Sequence, residues 1–306
     1  MTVILEGVRS AASDVPIYAR PSVRIVLRLA ALLGVLLGIE TTILHVTQDP
    51  LADVRAYYDA GARLNAGLPL YVQAADTNDP AFYRYPPLLA IAFRPLALLS
   101  YETAALIWAG IIVAATVVTI LRLGIREPVL LVAGWLALPI MWTISIGQAQ
   151  ALVTLLLAIG SPWAVALATN LKVFPVLVAV YWLGRREWRQ LGLLAAWLAG
   201  LVAVQFVLEP QATVDYLGFL SLDQVGQVNS ISLYAVSPWL WAVSIVVMVV
   251  VALKLAPTRW GWPAAVVLSV FATPRLLVYQ VSTLLAGLGG PDARPKASRS
   301  DPSAPA

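Results

Sequence analysis

The run from Val23 to Val46 holds two dozen residues with one internal acid, Glu40, and one internal base pair of arginines near its start, Arg24 and Arg28. A helix needs about 20 apolar residues to cross the ~30 Å hydrocarbon layer, and a spanning segment must satisfy its own backbone polar groups. A run this long and this apolar therefore specifies a membrane helix before anything else. Similar stretches recur: of the 306 residues 60% are hydrophobic and 12% charged, and the mean hydropathy of +0.82 is far above that of a water-soluble domain. The runs are unbroken rather than alternating, which predicts an all-α, polytopic transmembrane helical bundle of about eight to ten membrane segments and not a barrel. The twenty Lys and Arg against sixteen Asp and Glu sit at segment ends, as topology signals do. That pattern sets nucleic acid aside as a partner. With no cysteine and a single histidine, disulfide frameworks, thiolate sites and most transition-metal centres are excluded.

Arg20, Arg24 and Arg28 place the N-terminus in the cytoplasm, and the run after them is too long for a cleaved signal, so it is read as a retained first span. The loop 47–85 is then external. Beyond it the apolar segments shorten: Pro86 to Ser100, Thr103 to Leu121, Pro128 to Ile146, Ala151 to Gly160, Trp163 to Thr169 and Val173 to Gly184. A ten-residue helix rises only about 15 Å, so 151–169 is expected to form a hairpin, and Pro86 to Ser100 to dip in and return. Arg122, Arg126, Arg185, Arg186 and Arg189 mark the cytoplasmic side and leave Lys172 near the external one. Leu191 to Leu208 leads out to a second external loop, 209–232, and Leu233 to Leu253 returns. The stretch 260–289 is broken at Pro274-Arg275 into an outward and an inward half. We expect a single integral membrane domain over 1–289 and a disordered tail over 290–306.

The first loop carries the most informative polar sequence, ADVRAYYDAGARLNAGLPLYV. Asp49-Pro50 reads as an N-cap followed by proline at the first helical position, and Gly67 as a stop, predicting a helix over about 50–66. On it Asp53, Tyr57, Ala60, Gly61 and Leu64 share one face, while Asp59 and Arg63 pair four residues apart on another. FYRYPP (82–87) re-enters the membrane with aromatics around Arg84; Lys172, Arg94 and Arg275 are cations deeper in apolar sequence, where each needs an interfacial location or a polar cavity. SIGQAQA (145–151) and GQVNS (226–230) add Gln148 and Asn229 at the same level. A carboxylate on an interfacial helix, beside several cations and a greasy interior, suits a lipid-linked sugar phosphate. When its sugar departs, the phosphodiester becomes a monoester of about −1.5 to −2, which cations stabilise more than the ground state. One carboxylate then suffices to deprotonate an acceptor hydroxyl attacking with inversion.

The same residues resemble a known family. Asp53, Tyr57, Tyr58, Ala60, Leu64, Gly67 and Tyr71, then FYRYPPLLAIAFRPLALL, Gly147-Gln148, NLKVFPVLV followed by WLGRREW, and VGQVNSISL are similar to motifs of glycosyltransferase family 87. The resemblance runs over about 45–285. It implies a bundle of the GT-C type with short or re-entrant helices and an external first loop, and an enzyme using polyprenyl-phosphate mannose as donor and a lipid or glycan acceptor among membrane lipids. It implies Asp53 as the catalytic base and Arg84, Gln148 and Lys172 as donor contacts. We read Tyr57, Tyr58, Tyr85, Asn229 and Arg275 as further substrate-binding residues. Two positions depart from the family pattern: Gln150 stands where an asparagine is usual, and Arg275 where a histidine is frequent. No cofactor is called for and no metal site is assigned, a divalent metal being left open. The expected location is the external face of a bacterial cytoplasmic membrane. A transporter or flippase of lipid-linked saccharides, or a non-catalytic membrane subunit, are the competing functions; only a transferase requires Asp53 beside phosphate-binding cations.

Overall fold

The computed structural model describes residues 21–71, 78, 82–125, 134–219, 225–226 and 229–291. It is an all-α membrane protein, with no strand among the described residues. Four helices are long and apolar enough to cross a membrane. The first, α1 (Pro21–Gln48), starts at a proline and stops before Asp49-Pro50. The helix α4 (Tyr101–Arg122) is capped by Ser100, whose hydroxyl accepts the Thr103 N–H, and ends at Gly124 in the left-handed region. α9 (Trp188–Leu208) runs up to Glu209-Pro210, and α12 (Pro238–Leu255) is capped by Ser237 with proline at its start. These helices turn large apolar side chains outward, among them Leu106, Val207 and Trp239, the last 82% exposed. Apolar surface facing outward all along a hydrophobic helix is surface for lipid.

The short helices form the interior. α2 (Ala52–Asn65) and α3 (Pro87–Phe93) come from the first loop; α5 (Leu138–Ser145), α6 (Gln150–Ile159) and α7 (Pro162–Leu171) follow α4. A 3₁₀ stretch Phe174–Val178 leads into α8 (Ala179–Gly184). α10 (Pro210–Phe219) lies in the second loop, α11 (Leu233–Val236) precedes α12, and α13 (Gly261–Phe271) is followed by a 3₁₀ stretch, Val278–Leu288. Val54, Tyr57, Phe93, Leu157, Val165 and Val266 belong to one apolar core on which these pieces converge. Gly61 permits a close approach of α2 to the end of α3: a Cβ there would stand 2.8 Å from the Phe93 carbonyl carbon.

Several expectations about the path of the chain hold. The hairpin 151–169 is α6 and α7 joined at Gly160-Ser161, the segment 86–100 is a short helix with a 3₁₀ turn, and 260–289 breaks at Thr273–Leu277. Two do not. Asp49 is not the cap of α2; its N–H bonds the His45 carbonyl as the end of α1, and the cap position falls to Leu51 at φ 57. The N–H groups of Leu51 and Asp53 instead find the carbonyls of Ser145 and Ile146 at the end of α5, at 3.0 and 3.1 Å. The free N-terminus of one helix and the free C-terminus of another thus satisfy each other. Nor do Asp59 and Arg63 pair: the Arg63 Nε donates to the Pro69 carbonyl at 2.8 Å, inside the turn where Gly67 (φ 65) stops α2 as expected. Residues 1–20, Asp76, Asp79, Arg126 and all but the first two residues of the tail 290–306 lie outside the described residues.

Contacts sort the chain ends into two levels. At one, the Arg122 Nε donates to the Ala158 carbonyl, Gly290 N–H bonds the same carbonyl, and Gly290 lies against Trp262. This level holds the α6–α7 turn. At the other, Trp108 Nε1 donates to the Gly147 carbonyl at 2.7 Å and Tyr101 reaches the Leu51 carbonyl. Trp108 is seven residues, about 10 Å, along α4 from Tyr101. The open ends of the α6–α7 hairpin, and with them Gln148 and Lys172, are therefore recessed below the end of α4.

Candidate active site

Gly147 delivers the centre of the site. Its φ of 69 is the left-handed region, and a Cβ would meet the Val54 Cγ2 at 2.2 Å, so only glycine turns the chain here against α2. The next residue, Gln148, is fully buried. Its Nε2 donates to the Asp53 Oδ2 at 2.7 Å and lies 3.0 Å from the hydroxyls of both Tyr85 and Tyr279. Its Oε1 accepts from the Tyr57 hydroxyl at 2.7 Å and faces that of Tyr85 at 3.3 Å. Tyr57 is itself fully buried, its ring edge-on to Tyr85 and Trp108. One carboxylate is thus aimed by an amide that three tyrosines hold.

The cations converge on the same place. Lys172 follows the last turn of α7, where the helix dipole favours positive charge, and its Nζ lies 5.0 Å from the Tyr279 ring centre and 5.7 Å from that of Tyr85. Arg84 stacks over Phe82 at 5.0 Å. Burial raises the Asp53 carboxyl to about 6, while Lys172, Arg84 and Arg275, in that order, pull it down. Burial lowers the Lys172 ammonium against the pull of Asp53. Arg84, Lys172 and Arg275 also line, with Tyr85 and Tyr279, a cavity of about 270 Å³ whose other walls are mainly apolar: Val173, Phe174, Phe219 and Leu277 among them. Such a site offers a carboxylate that is ionised near neutrality, three positive groups and a greasy groove.

The structure thus gathers Asp53, Tyr57, Arg84, Tyr85, Gln148, Lys172 and Arg275 into one region, but not on one surface. Tyr57 and Gln148 are sealed behind Asp53, so in this arrangement they act on the carboxylate and not on the cavity. Tyr58 points away, donating to the Leu99 carbonyl at 2.8 Å and packing edge-on to Tyr101. Asn229 is exposed at φ 60 and does not line the cavity; its segment is pinned where Ile231 N–H bonds the Leu276 carbonyl beside Arg275. Of the FYRYPP tyrosines only Tyr85 lines the cavity; the Tyr83 hydroxyl accepts the Ala90 N–H and donates to the Pro86 carbonyl, fastening the start of α3. Arg94 pairs with Glu209 and bonds Asn65, tying α3 to α2 and α10. Gln150, the departure from the family asparagine, donates to Thr283 at 2.5 Å, behind the site.

Two contributors escaped the sequence reading. Tyr279 lies four residues after Arg275 but is indistinguishable in sequence from an interfacial tyrosine. Gln205, buried in α9, accepts the Leu88 N–H at 3.0 Å and donates to Asn170 at 2.7 Å, joining α3, α7 and a membrane span. An amide set among apolar residues in the second half of a 21-residue span was the available signal. Among the described residues no group of three or more His, Asp or Glu gathers to hold a metal ion.

The sequence profile described as "Glycosyltransferase family 87" matches residues 82–287. The chain is 31% identical over 180 residues to the polyprenol-phosphate-mannose-dependent alpha-(1-2)-phosphatidylinositol pentamannoside mannosyltransferase of Mycolicibacterium smegmatis, covering 52% of this chain. The matched part spans 44% of that relative's length. No solved structure matches the chain.

Proposed function

Because the chain belongs to glycosyltransferase family 87, we propose that it transfers a sugar, mannose by similarity to the relative, from a polyprenyl-phosphate donor to a hydroxyl of a glycolipid acceptor. The single observation that carries this reading is the Asp53 carboxylate, aimed by Gln148 beside a cavity with three cations and apolar walls. The donor phosphate lies among Arg84, Lys172 and Arg275, and its chain follows the apolar wall. Phosphate charge also opposes the loss of the Lys172 proton that burial favours. The acceptor oxygen attacks the anomeric carbon as the carbon–oxygen bond to phosphate breaks, and Asp53 takes the hydroxyl proton. The leaving group gains negative charge as it departs, so the cations bind it more tightly in the transition state than in the donor. No general acid is needed. We read this chemistry as taking place at the external face of the cell membrane, a reading supported by Arg122 at the α6–α7 turn, which marks the opposite end as cytoplasmic, with the sugar passing to an acceptor from the same leaflet.

The test is transfer of radiolabelled mannose from polyprenyl-phosphate mannose to a phosphatidylinositol mannoside by the purified chain in lipid. Product with the anomeric configuration opposite to the donor's supports the reading. Retained configuration contradicts single displacement with Asp53 as base, and absence of transfer favours a non-catalytic subunit.

A further inference from the structure

The first membrane helix carries a feature that the site does not use. α1 attaches to the rest of the described protein along one side, chiefly on α5. Gly38 makes the closest approach: a Cβ there would lie 2.0 Å from the Leu136 carbonyl. At 100° per residue, Glu40 points about 200° away from Gly38, straight out from the protein, and it is exposed. It stands eight residues, about 12 Å, before the helix end at Gln48 and so within the hydrocarbon layer. Helical side chains lean toward the N-terminus, here toward the bilayer centre, which carries the carboxyl away from its nearer surface. An ionisable side chain at such a depth is expensive to leave facing lipid. It calls for a partner.

The residues around it say which. Leu29, Leu33, Leu36, Glu40 and Ile43 follow one another at spacings of four, three, four and three, the seam of a two-helix coil, and all five are exposed. The seam lies opposite Gly38, so it can be covered without disturbing the contact with α5. We propose that α1 is a dimerisation surface for a second copy of this chain, with the two Glu40 carboxyl groups meeting across a twofold axis. A carboxyl group carrying its proton offers one O–H donor and one carbonyl acceptor, so two of them complement each other about that axis as no acid–lipid contact does. A polar side chain at one position of an apolar seam also fixes its register. The inference is independent of the reaction at Asp53.

The chain has no cysteine, so single cysteines introduced along 29–47 report contacts without a background. Purified variants in lipid vesicles are oxidised over a range of protein-to-lipid ratios, and disulfide-linked dimer is counted. Cross-linking is expected to peak at Leu33→Cys, Leu36→Cys and Ile43→Cys and to be weak for cysteines on the side facing α5. Adding Glu40→Leu is expected to weaken dimerisation about 5- to 30-fold, whereas Glu40→Gln, which keeps a donor and an acceptor, retains most of it. Both changes sit on the lipid-facing side, and circular dichroism of each variant checks that the helices persist. Cross-linking no greater than random collision, a peak on another side, or equal dimer in Glu40→Leu overturns the proposal.

Discussion

Replacing Gln148 with methionine keeps the volume and removes every polar contact of the amide, so it isolates what that amide does for Asp53. Gln148 donates to the Asp53 carboxylate at 2.7 Å. A hydrogen bond to a charged group contributes about 1.5–3 kcal/mol, and about 1.4 kcal/mol corresponds to one pH unit. Burial pushes the Asp53 carboxyl up to about 6 against the pull of the cations. Losing the donor removes stabilisation from the ionised form only, so the midpoint rises by about one to two pH units. At pH 7 the ionised fraction then falls from about nine-tenths to between about half and a tenth. The assay is the initial rate of sugar transfer against pH. Wild-type rates fall as pH drops through about 6; in Gln148→Met the same fall occurs at about pH 7–8, with the rate at pH 9 recovering most of the loss. The buried Tyr57 hydroxyl also loses its acceptor, which costs about 1–3 kcal/mol of stability and is read separately by denaturation. An acid limb still at about pH 6, with only the plateau lowered, refutes the argument that Gln148 tunes and orients the base.

Further outcomes follow from the same contacts. Lys172→Met removes a cation from the cavity and from the surroundings of Asp53; the transfer rate at saturating donor falls about 10²- to 10³-fold and the acid limb moves to higher pH, whereas a loss under twofold would remove Lys172 from the leaving-group site. Gly147→Ala forces a left-handed alanine into the Val54 side chain and lowers unfolding stability by about 2–5 kcal/mol, measured by denaturation in mixed micelles. Glu209→Gln breaks the ion pair with Arg94, whose side chain is 39% exposed, so its stability effect stays below about 1 kcal/mol, as the Arg94→Gln, Glu209→Gln double-mutant cycle would measure.

The parts of this fold that were legible in the sequence are those set by length and by local stereochemistry. The 28-residue α1, the turn at Gly160, the break at Pro274-Arg275 and the stop at Gly67 follow from how far a helix reaches and where proline or glycine ends it. The face of α2 that carries Asp53, Tyr57 and Leu64 followed from the 3.6-residue period. What stayed hidden depends on partners far along the chain. Gln148 meets Tyr279 across 131 positions and Gln205 meets Leu88 across 117, and neither amide announces its partner locally. The misplaced cap at Asp49 has the same origin: the first N–H groups of α2 are satisfied by Ser145 and Ile146, so no side-chain cap is required. Resemblance supplied Asp53 as the base and Gln148 as a donor contact; only the folded arrangement shows the amide buried behind the carboxylate and holding it.

The central claim is that Asp53 removes the acceptor proton, and Asp53→Asn, which preserves shape and removes the base, tests it most directly. Transfer of radiolabelled mannose from polyprenyl-phosphate mannose is compared between the two proteins, with donor binding measured in both. The account predicts a fall of at least about 10²-fold in transfer with donor binding retained. Equal transfer by Asp53→Asn and wild type would contradict it and leave Asp53 as a charge held near a helix N-terminus.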